Sequence, residues 1–204
     1  DAMTVPNNHP EHDRPIQLKT QRLLIRTMLE TDLSAIFACY DHPEVGKYTP
    51  PIRWPNLEHA VTWYHRRRVD VLAGRAKQFV IISKDTGAVI GTSVLFNIDA
   101  THRNAEIGYA LGRQFWGHGY VSEAVSAVID HAFSELELHR LNASIDPRNF
   151  ASNKVLVRFG FTHEGTTRQS YFDAGKFTDC GIYGLLAHEW RNPPVGADRT
   201  PSSG

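Results

Sequence analysis

Hydrophobic positions along the chain change period several times, and the changes mark its elements. Residues 1–17 show little apolar pattern and include Pro6, Pro10 and Pro15, which predicts a loose arm. Residues 22–28 predict a first strand. Leu33, Ile36, Phe37 and Tyr40 then recur at helical spacing, with Thr31 or Asp32 as the cap. Pro43, Pro50 and Pro51 interrupt the pattern. A second helix is expected over 56–73, with Val61, Tyr64, Val69 and Leu72 inward and Gly74 as its stop. Residues 79–83 and 89–97 read as a hairpin about Asp85-Thr86-Gly87. Residues 103–111 form the next strand. Its alternation puts Ile107, Tyr109 and Leu111 on one face and Glu106, Gly108 and Ala110 on the other.

After Gly119 the period becomes helical. Val121, Ala124, Val125, Val128, Ile129, Ala132, Phe133 and Leu136 make one long apolar stripe. Residues 141–145 alternate as a short strand, residues 152–159 predict a short helix stopped by Gly160, and 161–168 with 177–186 read as a closing strand pair. This order predicts a mixed α+β fold rather than an alternating parallel-sheet fold. It makes one domain, 18–192, followed by a Pro-, Gly- and Ser-rich tail, 193–204, that is expected to be disordered.

Lys plus Arg equal Asp plus Glu at 22 each. That balance argues against nucleic acid or an anionic membrane as a partner, and Arg66, Arg67 and Arg68 read as a solvated helix face. Two cysteines, Cys39 and Cys180, lie far apart and suit a reducing compartment. Cys39 falls on the apolar side of the first helix. No apolar run approaches a membrane span and no signal-peptide pattern occurs, so a cytoplasmic location is expected. The histidines show no ligand spacing, so no catalytic metal is expected.

Candidate chemistry centres on Gln114-Phe115-Trp116-Gly117-His118-Gly119-Tyr120, between a strand and a long helix. Two glycines two apart permit a sharp turn and close approach of a ligand to the main chain. Successive N–H groups at a helix head suit a di-anion such as a pyrophosphate. An ordinary strand-to-helix turn would read the same way. The dinucleotide fingerprint is absent, since Ser122 stands where a third glycine belongs. Downstream, Asn149, Ser152 and Asn153 offer polar groups either for capping a helix, begun by Ser152 or Asn153, or for binding an amide-bearing chain.

Taken in order, Glu106-Ile107-Gly108-Tyr109, Trp116-Gly117-His118-Gly119-Tyr120 with Glu123-Ala124, Asn149-x-x-Ser152-Asn153, and Arg158-Phe159-Gly160-Phe161 with Glu164-Gly165 resemble the GCN5-related N-acetyltransferase (GNAT) superfamily. The opening Thr20-x-Arg22-Leu23-x-Ile25-Arg26 and the closing Asp179-x-x-x-Tyr183-Gly184-Leu185-Leu186 with Glu189-Trp190 are most similar to its RimJ/RimL-like branch of ribosomal-protein acetyltransferases. The resemblance covers roughly residues 18–191. It implies a mostly antiparallel mixed sheet, splayed between its fourth and fifth strands and flanked by helices. It also implies acetyl-CoA as co-substrate, direct transfer to an amine, and a monomer or homodimer.

On that resemblance, Gln114, Gly117, His118, Gly119 and Tyr120 cradle the pyrophosphate. Asn149 and Asn153 contact the pantetheine arm, and Ser152 sits near the sulfur as donor to the leaving thiolate. Backbone N–H groups at Tyr109, Ala110 and Leu111 polarise the carbonyl. Glu106 is the first candidate base, with a surface salt bridge as its bland alternative. The carboxylate that some relatives place after the Phe161 motif is replaced here by Gln169-Ser170-Tyr171-Phe172, which leaves Tyr171 as a further candidate donor. Trp54, Trp63 and Tyr64 are either core or acceptor contacts. A protein N-terminal amine is the leading acceptor. A small-molecule amine (aminoglycoside, polyamine, amino acid or toxin) is the alternative, and a non-catalytic acyl-CoA sensor is the reading from another class.

Overall fold

The structure, a computed structural model, describes residues 14–49 and 52–191. Eight strands form one sheet in the order β1-β2-β3-β4-β5-β6-β8-β7. They are β1 (Gln17–Lys19), β2 (Leu23–Thr27), β3 (Lys77–Ser83), β4 (Val89–Asp99), β5 (Asn104–Leu111), β6 (Arg140–Ile145), β7 (Thr162–Asp173) and β8 (Lys176–Leu186). Helices α1 (Leu33–Cys39) and α2 (Leu57–Leu72) precede β3. Helix α3 (Tyr120–Ser134) joins β5 to β6, α4 (Phe150–Arg158) joins β6 to β7, and α5 (Ala187–Arg191) closes the described chain. Most of the proposed N-terminal arm and the whole proposed tail lie outside the described residues. Gln17, at the arm's end, already belongs to β1.

Both sheet faces are covered. Phe79 and Ile81 of β3 join a cluster with Val125, Ile129 and Phe133 of α3 and Leu156 of α4. Val80 and Ile82, between them, join Leu33, Ile36 and Tyr64 of α1 and α2 on the other face. A strand buried on both sides therefore reads as a continuous apolar run.

All pairings are antiparallel except β5 with β6. That parallel ladder has rungs Asn104–Arg140, Ala105–Leu141 and Glu106–Asn142 and then stops, although both strands continue. The expected splay is therefore present. It lies between the fifth and sixth strands, because the short β1 precedes the strand read first from the sequence.

Several local expectations are corrected. Asp32 stands at the cap position of α1, one of the two residues expected there, but a 3-10 turn over Glu30–Asp32 precedes the helix and the Asp32 carboxylate accepts from Leu29 N–H at 2.8 Å while pairing with Arg26 at 2.7 Å. Helix α4 starts at Phe150, and its cap is Asn149, whose Oδ1 accepts from Ser152 N–H at 3.2 Å. Neither Ser152 nor Asn153 begins it. Val69 is 54% exposed, whereas Tyr64 is buried and Val61 packs on the core as expected, joined on the inward face by Ala60 and Val71. Strand β7 runs on to Asp173, because its hairpin with β8 resumes pairing at Tyr171–Thr178 past an irregularity.

Candidate active site

Strand β5, the splay and the head of α3 meet at one place. Gly112 N–H donates to Ile90 O at 3.0 Å, a 3-10 turn over Arg113–Phe115 follows, and the chain then passes Gly117 and Gly119 into α3. Gly117 has φ +80° and Gly119 φ +74°, the left-handed region that side chains disfavour. A Cβ at Gly117 would meet nothing within 4 Å. The glycine therefore answers to backbone conformation and to open space in front of it, not to a neighbour inside the protein. The first bond of the helix ladder is Glu123 N–H to Gly119 O at 3.1 Å, so the N–H groups of Tyr120, Val121 and Ser122 precede it. His118 contributes its backbone, and its ring stacks on Tyr120 with centroids 6.0 Å apart.

The turn is held from three sides. Trp116 Nε1 donates to Leu111 O at 2.9 Å, and Arg113 pairs with Glu44 at 2.8 Å. Arg22 donates to His118 O at 2.9 Å and pairs with Glu123 at 2.6 Å. Buried Glu123 also accepts from Thr20 Oγ1 at 2.5 Å and Arg22 N–H at 2.7 Å. Burial opposes its charge, but the Thr20 and Arg22 donors outweigh it and hold the carboxyl below its ordinary value of 4.5. A depressed folded value stabilises the fold fully above the unfolded pKa and progressively less as pH falls through the folded one. Glu123→Gln is accordingly expected to cost about 1–3 kcal/mol. It should lower the thermal midpoint at pH 7 and narrow the loss of stability between neutral and acid pH. A midpoint unchanged at pH 7 would contradict this.

Along β5, alternation sorts the backbone. The Gly112–Ile90 bond and the Thr92–Ala110 rung point Ala110's peptide groups at β4, and its carbonyl also accepts from Tyr40 Oη at 3.1 Å. The N–H groups of Tyr109 and Leu111 consequently face the edge that β6 has left. Of the three proposed carbonyl donors, Ala110 is directed elsewhere and instead presents its side chain to a cavity.

That cavity, about 480 Å³, is bounded by the connection before α2, by α2, by the β3–β5 face, by the start of the β6–α4 loop and by the β7–β8 hairpin. Glu106, Tyr109, Ala110 and Tyr171 all line it. Glu106 sits on the last β5–β6 rung, at the vertex of the splay. Asn97 Nδ2 approaches its carboxylate at 3.5 Å, and no cation lies within ion-pair distance among the described residues. The salt-bridge alternative therefore lacks its partner. The Tyr109 hydroxyl is buried without a hydrogen-bond partner. Burial pushes its pKa up, against a smaller opposing effect of the adjacent Ser152, so it remains a proton donor.

The remaining candidates divide. Asn149 is engaged as the α4 cap. Asn153 Nδ2 donates to Tyr183 Oη at 2.5 Å, which ties α4 to β8. Cys39 is buried in the α1–α2 cluster, where burial raises its thiol to about 11 despite the Gly112 N–H. Of the aromatics, Trp63 lines the cavity, while Trp54 packs against it with ring centroids 5.1 Å apart. The sequence reading offered Trp63 as an acceptor contact but missed Lys47, Arg67 and Asp70. Trp63, Arg67 and Asp70 lie four and three residues apart on α2, and helical spacing alone could have grouped them. Among the described residues no His/Cys/Asp/Glu cluster could hold a metal ion, and no helix is long and apolar enough to cross a membrane.

The profile of the family described as "Acetyltransferase (GNAT) domain" matches residues 22–162. The chain is 36% identical to "Uncharacterized N-acetyltransferase p20" of Bacillus licheniformis over 85% of this chain and 97% of that relative. It is 34% identical to the ribosomal-protein-serine acetyltransferase of Escherichia coli over 55% of this chain and 62% of that protein. Among solved structures, Mycobacterium smegmatis RimJ in complex with CoA-disulfide matches with TM-score 0.75 and 26% identity, covering 91% of each chain. RimL in its apo form shares the fold, with TM-score 0.76 at 22% identity over 84% of this chain and 94% of that chain.

Proposed function

The chain belongs to the GNAT acetyltransferase family and is an acetyl-CoA N-acetyltransferase; from that premise we propose that its acceptor is the α-amine of a polypeptide N-terminus. Membership sets aside the non-catalytic sensor. The observation that carries the choice of acceptor is the charge balance of the cavity. Asp70, Asp146 and Asp173 line it, but each is engaged by an arginine, at 2.8 Å from Arg75, 2.6 Å from Arg148 and 2.5 Å from Arg53. The other two lining carboxylates, Glu106 and Asp179, are matched by two lining cations, Lys47 and Arg67. A site for a polyamine or aminoglycoside needs an excess of carboxylate over cation, and this cavity lacks it. The similarity to RimJ and to a ribosomal-protein-serine acetyltransferase supports the same reading.

The donor fits the residues present. The glycine turn ahead of α3 offers a concave array of N–H groups for the pyrophosphate, with Gln114 and His118 in the same turn. The open edge of β5 would take the pantetheine arm beside Asn149. Acetyl-CoA supplies the activated acyl group. Glu106 takes the proton of the attacking amine, directly or through water. Tyr109 and Leu111 N–H groups face the developing oxyanion. The C–S bond breaks as the C–N bond forms, and Ser152, with the Tyr109 hydroxyl behind it, returns a proton to the sulfur. Tyr171, on the cavity rim, is a contact to the acceptor.

The test is release of free CoA from acetyl-CoA against a panel of amines. Turnover is expected with peptides bearing a free N-terminus and not with the same peptides blocked. Turnover with spermidine or an aminoglycoside alone would overturn the acceptor assignment. Ser152→Ala is expected to lower kcat by roughly 10²-fold while leaving acetyl-CoA affinity nearly unchanged. Loss of affinity without loss of kcat would leave Ser152 a merely structural residue.

A further inference from the structure

Polar groups without partners are not spread evenly around the cavity. On one wall two donors lack acceptors among the described residues. Trp63 of α2 lines that wall, with its Nε1 buried away from the cavity. Arg67, four residues on in α2, lines the same cavity and makes no ion pair. Lys47, from the connection before α2, meets the ring of Tyr48 at 5.2 Å. Asp70 shares that helix face, but Arg75 holds its carboxylate at 2.8 Å. On the sheet wall stand Glu106 of β5 and Asp179 of β8, acceptors with no cation at ion-pair distance among the described residues. The cavity is therefore polarised, with donors on α2 and the connection before it and acceptors on β5 and β8.

From this polarity we infer that the preferred acceptor carries a carboxylate close to its amine, namely an acidic side chain at the second residue of the polypeptide. Arg67 and Lys47 receive that carboxylate while the amine faces Glu106. The inference rests on the N-terminal reading above. A guanidinium offers paired donors that match a carboxylate. Arg67 and Lys47 are exposed, so their attraction is modest and screened by salt. The Arg66–Arg68 run is thus not uniformly a solvated face, since Arg67 looks onto the site.

Three peptides of equal length, beginning Ser-Glu, Ser-Gln and Ser-Lys and otherwise identical, provide the test. With wild-type protein, kcat/KM is expected to favour Ser-Glu over Ser-Gln by about three- to fivefold, and over Ser-Lys by more. The margin should act mainly through the peptide KM and shrink in high salt. Arg67→Glu should reverse the order of Ser-Glu and Ser-Lys, with the KM for acetyl-CoA and the thermal midpoint unchanged. Equal rates for all three peptides, or a wild-type preference that survives Arg67→Glu, would overturn the carboxylate clamp and leave the N-terminal reading standing. Inert peptides beside acetylation of free glutamate that depends on Arg67 would do the opposite.

Discussion

Gly117→Pro and Gly119→Val are each expected to remove measurable acetyl-CoA binding from a protein that still folds. At Gly117 the backbone sits at φ +80°, whereas proline holds φ near −65° and has no N–H. The substitution therefore moves the turn and deletes one donor together. At Gly119, φ +74° is a conformation in which a β-branched residue is a genuine outlier, at a cost of roughly 1–3 kcal/mol. Val125, Val128, Ile129 and Phe133 are essentially buried, and such side chains contribute about 1.5–3 kcal/mol each. The helix is thus anchored by far more than the turn costs, and the turn is what yields. Calorimetry with acetyl-CoA reads the loss, and the thermal midpoint separates it from unfolding. Gly117→Ala, which keeps the N–H and meets no neighbour, should weaken binding without abolishing it. Wild-type affinity in both severe variants would remove the pyrophosphate from this turn.

What the sequence made legible is what local chemistry decides. The change of period at Gly119 marked α3 because its apolar stripe must face the sheet, and the alternation of residues 103–111 put Glu106 and Tyr109 on opposite faces of β5. Where a tertiary partner decides, the reading was less secure. Asn149, Ser152 and Asn153 are all capping types, and only the fold shows Asn149 accepting from Ser152 N–H while Asn153 is drawn to Tyr183. Val69 and Val71 both look apolar on a wheel, yet only Val71 is buried. Ala110 illustrates a third kind of loss. Its place in the strand was right, but the direction of its peptide groups depends on the register with β4.

The two ends of the reaction are therefore built differently. The donor end uses backbone, which any sequence with two glycines in the right place can supply, and so it shows early in the chain's pattern. The acceptor end uses side chains from the connection before α2, α2 itself, β5 and the β7–β8 hairpin. No spacing in one dimension brings Lys47, Arg67 and Glu106 together. Acceptor choice can consequently change by substitution on α2 while the donor turn stays as it is.

The second large effect is expected at Glu106. Its carboxylate stands where β5 and β6 part, has one amide neighbour at 3.5 Å, and is not neutralised by a cation among the described residues. A carboxylate bound in an ion pair would be a poor proton acceptor, and this one is not so bound. An N-terminal amine has an ordinary pKa of about 7.7–8.0, so near pH 7 only roughly a tenth of it is neutral and most must lose a proton at the site. Glu106→Gln preserves volume and can still hydrogen-bond, but it cannot take that proton. We expect kcat near pH 7 to fall by about 10²–10³-fold, acetyl-CoA affinity to hold, and the rise of rate with pH to follow the amine's own ionisation. As pH rises past the amine's own pKa the variant should recover toward the wild-type rate, because the substrate then arrives deprotonated. A variant with the wild-type rate across neutral pH would exclude Glu106 as the base. The proton would then have to leave through water on the Tyr171 side of the cavity.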